Sequence, residues 1–128
     1  MSDILIVDDD EVFGALSLER FENSRWTVHF HLGPFGTVNA IRATRPRLVI
    51  IDVNMPGLPG TSVSLLVRKT PRLGRVKILL YSSMDQRTLD GLVKEHGADD
   101  ALTKSATKSQ LLAKVAKMIE GVESHRTS

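Results

Sequence analysis

The chain has no cysteine among its 128 residues, which excludes disulfides and thiolate metal sites and fits a reducing compartment. Aromatic residues make up only 5 %, so its core has to be mostly aliphatic, and 41 % hydrophobic residues suffice for one such core. The longest apolar runs are far too short for a membrane span or the core of a signal peptide. We therefore expect a soluble cytoplasmic protein that has no membrane partner.

A strong charge of either sign is also missing, because 17 basic and 15 acidic side chains leave a net charge of only +2. A mild basic cluster lies between residues 68 and 77, but the basic stripe typical of nucleic-acid-binding domains is not present. We interpret this cluster as solvated surface and expect no nucleic-acid partner for this domain.

Short aliphatic runs at residues 4–7, 48–51, 78–80 and 101–102 are typical of strands buried on both faces of a parallel sheet. Residues 26–32 alternate apolar and polar side chains, which predicts a further strand at a sheet edge. Helical patterns cover residues 11–23, 33–44, 61–70 and 85–96, and the last helix is predicted from a Thr107–Gln110 capping box to Gly121. Five strand–helix alternations predict one α/β domain over residues 1–121, with a doubly wound parallel sheet, and residues 122–128 as a short polar tail.

In an open parallel sheet, the carboxyl ends of the strands meet at one edge, where function collects. The residues that follow four of the predicted strands are Asp8, Asp9 and Asp10, then Asp52, Ser82 and Lys104. Crowded carboxylates raise one another's pKa values unless a cation is bound, and Mg²⁺ prefers oxygen ligands of this kind. Asp52 could then attack a phosphoryl donor, while Lys104 and Ser82 stabilise the transferring oxygens.

Each of these residues also has a simpler explanation when it is taken alone. Asp10 is best interpreted as the N-cap of the first helix, and Asp52 could belong to a turn with Asn54 and the residues that follow it. A lone lysine at position 104 would more often be ordinary surface. The joint placement of these residues at four strand ends favours a functional site.

Four stretches of the chain resemble response-regulator receiver domains, in order and over residues 3–121: ILIVDDD (4–10), LVIIDVNMPGLPG (48–60), ILLYSS (78–83) and GADDALTK (97–104). The likeness is to the single-domain, chemotaxis type. It implies a five-stranded parallel sheet in a (βα)5 flavodoxin-like three-layer sandwich. It also implies that Asp52 is the phosphoacceptor, Ser82 the switch hydroxyl and Lys104 the partner of the phosphoryl group. The implied Mg²⁺ site consists of Asp8, which holds metal-bound water, Asp9, Asp52 and the main-chain carbonyl of Asn54.

Two positions depart from the family pattern. Ser105 stands where a proline in a cis peptide usually follows the lysine. Because a cis bond without proline costs about 2.5–4 kcal/mol, we expect a trans bond and a reshaped loop, or else a strained one. Ala101 stands where an aromatic residue usually rotates inward on activation, so the signal must be read by another route or more weakly.

The resemblance implies a signalling module that a sensor histidine kinase or a phosphotransfer protein phosphorylates on Asp52 in a Mg²⁺-dependent reaction. With no output domain expected to follow, it would signal by contact with an unidentified downstream protein, and it would catalyse only its own phosphorylation and dephosphorylation. The alternative is a pseudo-receiver that docks partners without being phosphorylated, which Ser105 and Ala101 keep open and the intact acidic set argues against. An aspartate-based phosphatase would need an acid where Asn54 stands, and a dinucleotide site would need a glycine-rich turn after the first strand.

Overall fold

The structure, a computed structural model, describes residues 2–127, with side chains described as far as Glu120. The five strands are β1 (Ile4–Asp8), β2 (Val28–Leu32), β3 (Leu48–Asp52), β4 (Lys77–Ser82) and β5 (Asp100–Thr103). The five α-helices are α1 (Glu11–Arg20), α2 (Thr37–Thr44), α3 (Gly60–Lys69), α4 (Gln86–Val93) and α5 (Lys108–Thr127), and a 3-10 turn (Lys94–His96) follows α4. All neighbouring strands are parallel, in the order β2-β1-β3-β4-β5. The predicted fold class is confirmed.

The sheet has a separate hydrophobic core on each face, because successive side chains of a strand point to opposite sides. Leu5, Val7, Val49 and Ile51 pack under α2, α3 and α4, whereas their neighbours in sequence pack under α1 and α5. Strands β1 and β3 are buried over their whole length, as their continuous aliphatic composition predicts. Burial of each such side chain contributes about 1.5–3 kcal/mol.

Strand β2 lies at one edge of the sheet, as its alternating sequence predicts. Val28 and Phe30 are half-buried and pack on the core under α1 and α5, while His29 is exposed. The strand begins at Val28, and Trp26 lies before it with its ring edge against Phe21.

Several predicted helix ends differ from the structure. The α-helix predicted over residues 85–96 ends at Val93, and a 3-10 turn covers the last three of those residues. The first helix ends at Arg20 and not at residue 23, because Asn23 has a positive φ of 64° within a turn. The second begins at Thr37 and not at residue 33, because Gly36 has a left-handed φ of 79°. The prediction that the last helix ends at Gly121 is wrong, since α5 continues to Thr127. A glycine inside a helix costs only about 1 kcal/mol relative to alanine. The domain boundary at residue 121 stays a prediction.

Two predicted caps are confirmed, and both helices begin at the carboxyl edge of the sheet. The Asp10 carboxylate accepts the Val12 and Phe13 N–H groups at 2.9 and 3.2 Å. Thr107 and Gln110 accept each other's N–H groups at 2.8 and 3.1 Å, which is the reciprocal capping box. None of the helices in residues 2–127 has the length and apolarity needed to cross a membrane.

Candidate functional site

The carboxyl ends of β1 and β3 bring three carboxylates together. Asp8 ends β1, Asp9 follows it, and Asp52 ends β3, which is paired directly with β1. One oxygen atom from each of the three side chains lies within 4.8 Å of the others. Asp8 and Asp52 are buried, and Asp9 is more accessible to solvent. The acidic cluster expected at this edge of the sheet is therefore present, and Asp10 caps α1 beside it.

Lys104 reaches into this cluster from the end of β5. Its Nζ lies 3.0 Å from Asp8 Oδ2 and 3.3 Å from Asp52 Oδ1, and its side chain is only 15 % exposed. The same Nζ lies 3.8 Å from the centre of the Phe13 ring, a distance at which the ring face attracts a cation. Lys104 is thus held between two carboxylates and an aromatic ring.

The pKa of Asp52 is perturbed by its surroundings. Burial raises it from 3.8 to about 6, and the negative charge of Asp8 acts in the same direction. The charge and hydrogen bond of Lys104 oppose this rise, as does the Asn54 N–H group, which donates to the carboxylate. The ionised form of Asp52 is therefore less stable than that of an exposed aspartate, and further positive charge at the site would favour it.

The three carboxylates fit a magnesium ion. Mg²⁺ prefers carboxylate oxygens, and one oxygen from each of the three side chains lies within 4.8 Å of the other two. Asp8, Asp9 and Asp52 would hold the ion. No contact marks the main-chain carbonyl of Asn54 as a ligand, and that role stays a prediction.

Ser82 ends β4 and is fully buried next to the site. Its Oγ accepts hydrogen bonds from the Asn54 side-chain amide at 3.3 Å and from the Met84 N–H at 3.4 Å. Its carbonyl accepts the Lys104 N–H at 2.7 Å. Ser82 is thus tied to the loop after β3, to the turn before α4 and to the end of β5.

The loop after Lys104 adopts the expected trans geometry, since Gly33–Pro34 is the single cis peptide in the described part of the chain. The Ala106 N–H donates to the Thr103 carbonyl at 3.0 Å, and Arg20 donates to the Ala106 carbonyl at 3.1 Å. The loop without proline is therefore held by main-chain bonds and by one arginine from α1.

Tyr81 is buried and takes part in the same packing. Its hydroxyl accepts a hydrogen bond from Arg20 at 3.2 Å, and its ring lies 6.1 Å from that of Phe13. Burial raises its pKa, while the charge of Arg20 opposes that rise. Sequence analysis missed Phe13 and Arg20 because no motif links α1 to the end of β5. Ala101 is fully buried and leaves no side chain that could rotate there.

Gly60 fixes how closely α3 approaches the end of β3. A Cβ atom at this position would lie 1.9 Å from the carbonyl oxygen of Asp52, a distance that no side chain can tolerate. The Gly60 N–H donates to the Val53 carbonyl at 2.8 Å. The glycine therefore lets the loop that follows Asp52 fold back over the site.

Comparison with known proteins agrees with this geometry. Residues 4–116 match the family model for the response regulator receiver domain, and the chain belongs to that family. It is 36 % identical over 118 residues to the transcriptional regulatory protein PrrA of Mycobacterium leprae (strain TN), covering 91 % of this chain and 49 % of that protein. It is 35 % identical to PrrA of Mycobacterium tuberculosis, covering 98 % of this chain and 53 % of that protein. The chain spans about half the length of these relatives.

Solved structures have the same fold. A signal receiver domain of a histidine kinase from Syntrophus aciditrophicus is 25 % identical with a TM-score of 0.83, covering 95 % of this chain and 92 % of that one. The chemotaxis protein CheY4 of Vibrio cholerae, 21 % identical with a TM-score of 0.82, covers 92 % of this chain and 98 % of that one. The chain is therefore a receiver domain of the two-component response regulators, a family of signalling modules.

Proposed function

We propose that this receiver domain accepts a phosphoryl group on Asp52 from a histidine kinase or a phosphotransfer protein, in a reaction that requires Mg²⁺. The observation that carries the proposal is the contact of one lysine Nζ with both Asp8 and Asp52 inside a cluster of three carboxylates. A nucleophilic carboxylate, ligands for a hard cation and a fixed positive charge are the components that phosphoryl transfer to aspartate needs.

In this reaction, a carboxylate oxygen of Asp52 attacks the phosphorus atom of the donor. A new P–O bond forms, the bond to the donor's leaving group breaks, and the leaving group departs with that electron pair. Lys104 Nζ already lies 3.3 Å from the Asp52 carboxylate, where it neutralises negative charge on the transferring oxygens. The Ser82 hydroxyl donates to the phosphoryl group once that group is in place. A bound Mg²⁺ neutralises the remaining charge on the carboxylates and the phosphoryl oxygens.

Phosphorylation gives Asp52 a charge of nearly −2 in place of −1 and adds strong hydrogen-bond acceptors. The group is buried at the carboxyl edge of the sheet, so its new charge acts first on Ser82 at the end of β4 and on Lys104 after the end of β5. We propose that a downstream protein recognises the resulting change in surface.

A docking module that is never phosphorylated is the second candidate. The ion pairs of Lys104 with Asp8 and Asp52 already neutralise part of the acidic cluster without a metal, as a purely structural role would require. This reading predicts that neither Mg²⁺ nor a phosphoryl donor acts on the site.

Intact-mass spectrometry after incubation with acetyl phosphate tests the proposal. We expect one phosphoryl adduct on the wild type with Mg²⁺, none without Mg²⁺, and none on Asp52→Asn. Asp10→Asn is the matched control, because it removes a neighbouring carboxylate while asparagine caps a helix as well as aspartate does. An adduct on Asp52→Asn would contradict the assignment, and a wild type without adduct or Mg²⁺ binding would refute the proposal and leave the docking module as the better account.

A further inference from the structure

The side chain of Gln86, the first residue of α4, covers the outer edge of β5. Its Nε2 donates to the Ala101 carbonyl and its Oε1 accepts the Thr103 N–H, both at 2.9 Å. β5 is an edge strand, paired with β4 on its other side. In a parallel sheet, the N–H and the C=O of one residue bond to a carbonyl and an N–H that lie two residues apart on the next strand. The Gln86 side-chain amide therefore takes the place of the N–H and C=O of one residue of a sixth strand.

The orientation of this amide is fixed from α4 itself. Gln86 Nε2 also donates to Asp90 Oδ1 at 2.8 Å, one helical turn further along. Because only the amide nitrogen can donate to a carbonyl and a carboxylate, the two ends of the amide are not interchangeable here. The contact between α4 and β5 is thus a directed pair of hydrogen bonds in addition to apolar packing.

Gln86 connects to the phosphorylation site on two sides. On β5, its partner Thr103 precedes Lys104, and the Lys104 N–H donates to the Ser82 carbonyl. Before α4, the Ser82 Oγ accepts the Met84 N–H at 3.4 Å, two residues ahead of Gln86. A change at the Ser82 hydroxyl therefore acts on the turn that positions Gln86.

We infer that Gln86 is a clasp that holds α4 on β5 in the unphosphorylated protein and opens when Asp52 is phosphorylated. The Ser82 hydroxyl turns toward the phosphoryl group, gives up the Met84 N–H and displaces the start of α4. Hydrogen bonds of 2.9 Å do not survive a shift of about 1 Å, so a small displacement releases both. This inference rests on the proposed function. It supplies a route by which phosphorylation changes the surface of the domain without an aromatic side chain at position 101.

Amide hydrogen exchange of Thr103, followed by NMR, tests the clasp directly, because this N–H donates to the Gln86 side chain. The samples are the wild type, Asp52→Asn, Gln86→Met and the control Arg87→Met, a change to the same residue at the exposed neighbouring position. Each is measured with Mg²⁺, with and without acetyl phosphate, and intact mass is recorded on every sample.

We expect the Thr103 amide hydrogen to exchange about fivefold faster in unphosphorylated Gln86→Met than in the wild type. This factor corresponds to the loss of one hydrogen bond worth about 1 kcal/mol. Phosphorylation should accelerate Thr103 in the wild type and in Arg87→Met, and leave Gln86→Met and Asp52→Asn unchanged. Core amides such as that of Ile50 verify that each variant is folded.

Two results would overturn the role of Gln86 as a clasp without contradicting the proposed function. One is a wild type that carries the phosphoryl group while its Thr103 exchange is unchanged or slower, which would leave Gln86 as a purely structural contact. The other is a folded Gln86→Met in which Thr103 exchanges as slowly as in the wild type. A wild type that acquires no phosphoryl group refutes the proposed function, and the inference with it.

Discussion

Replacing Asp52 with asparagine should stabilise the protein when Mg²⁺ is absent. Burial raises the pKa of this carboxyl from 3.8 to about 6, so the folded protein binds its proton more tightly than the unfolded chain does. At about 1.36 kcal/mol per pKa unit, ionised Asp52 lowers the free energy of unfolding by up to about 3 kcal/mol at pH 7.5. The attraction of Lys104 is already included in this pKa, so neutral asparagine should remove the cost and raise the free energy of unfolding by about 1–3 kcal/mol.

The sign of this effect depends on pH in a defined way. For a carboxyl whose pKa is raised by folding, the favourable contribution is present at low pH and is lost as pH rises through the folded-state pKa, here about 6. Below about pH 3 the group is protonated in both states. The advantage of Asp52→Asn should therefore be full at pH 7.5, smaller near pH 5 and nearly absent near pH 3.

Urea denaturation in the presence of EDTA at these pH values measures the difference, with Asp10→Asn as a control for loss of a neighbouring acidic charge. Mg²⁺ should remove most or all of this advantage, because binding at a hundred times its dissociation constant stabilises the wild type by about 2.7 kcal/mol. The reasoning is refuted if Asp52→Asn is the less stable protein at pH 7.5 in EDTA. It is equally refuted if the difference does not change with pH.

Two further predictions concern residues that hold the site and the scaffold. Phe13→Leu should slow the reaction with acetyl phosphate by about threefold to tenfold while Mg²⁺ still binds, because Lys104 loses the ring 3.8 Å from its Nζ. The Lys104 methylene protons should lose their ring-current shifts in NMR spectra, and Phe35→Leu, an exposed phenylalanine, should change neither reading. Arg68→Met should lower the free energy of unfolding by about 2–4 kcal/mol in urea, since Arg68 binds three loop carbonyls and one carboxylate. Lys69→Met, its exposed neighbour, should change stability by less than about 0.5 kcal/mol, and equal losses in both would contradict this role.

The order of the elements and the position of the acidic cluster were predictable from the sequence. A continuous aliphatic run leaves few structures other than a strand buried on both faces, and parallel strands place their carboxyl ends at one edge. Asp8, Asp52 and Lys104 therefore had to approach one another whatever the details of the loops. The Thr107–Gln110 capping box was also predictable from the sequence, because its two residues lie only three positions apart.

Contacts between side chains that lie far apart in the sequence were not predictable. Phe13 lies under Lys104 only because α1 packs on the sheet in one particular rotation and the lysine reaches across the sheet edge to its ring, and no local pattern encodes that rotation. The clasp of Gln86 likewise requires its amide to match the spacing of two groups on β5. The end of α1 depended on a non-glycine residue, Asn23, that adopts a left-handed φ. Such residues carry only a weak signal for that conformation.

In the proposed function, the charge of the site would link phosphorylation of Asp52 to the contact between α4 and β5. With all groups ionised, Asp8, Asp9 and Asp52 carry three negative charges and Lys104 one positive charge, so Mg²⁺ brings the cluster to neutrality. Phosphorylation would add nearly one further negative charge at Asp52, and this charge would draw the Lys104 ammonium from Asp8 toward the phosphoryl group. Lys104 is joined through Thr103 to the edge that Gln86 covers, and through its N–H to Ser82. The lysine and the serine would thus act on the two sides of the same α4–β5 contact. We therefore expect Lys104→Met to retain Mg²⁺ binding and to show a smaller effect of phosphorylation on Thr103 exchange than the wild type, because only the route through Ser82 remains.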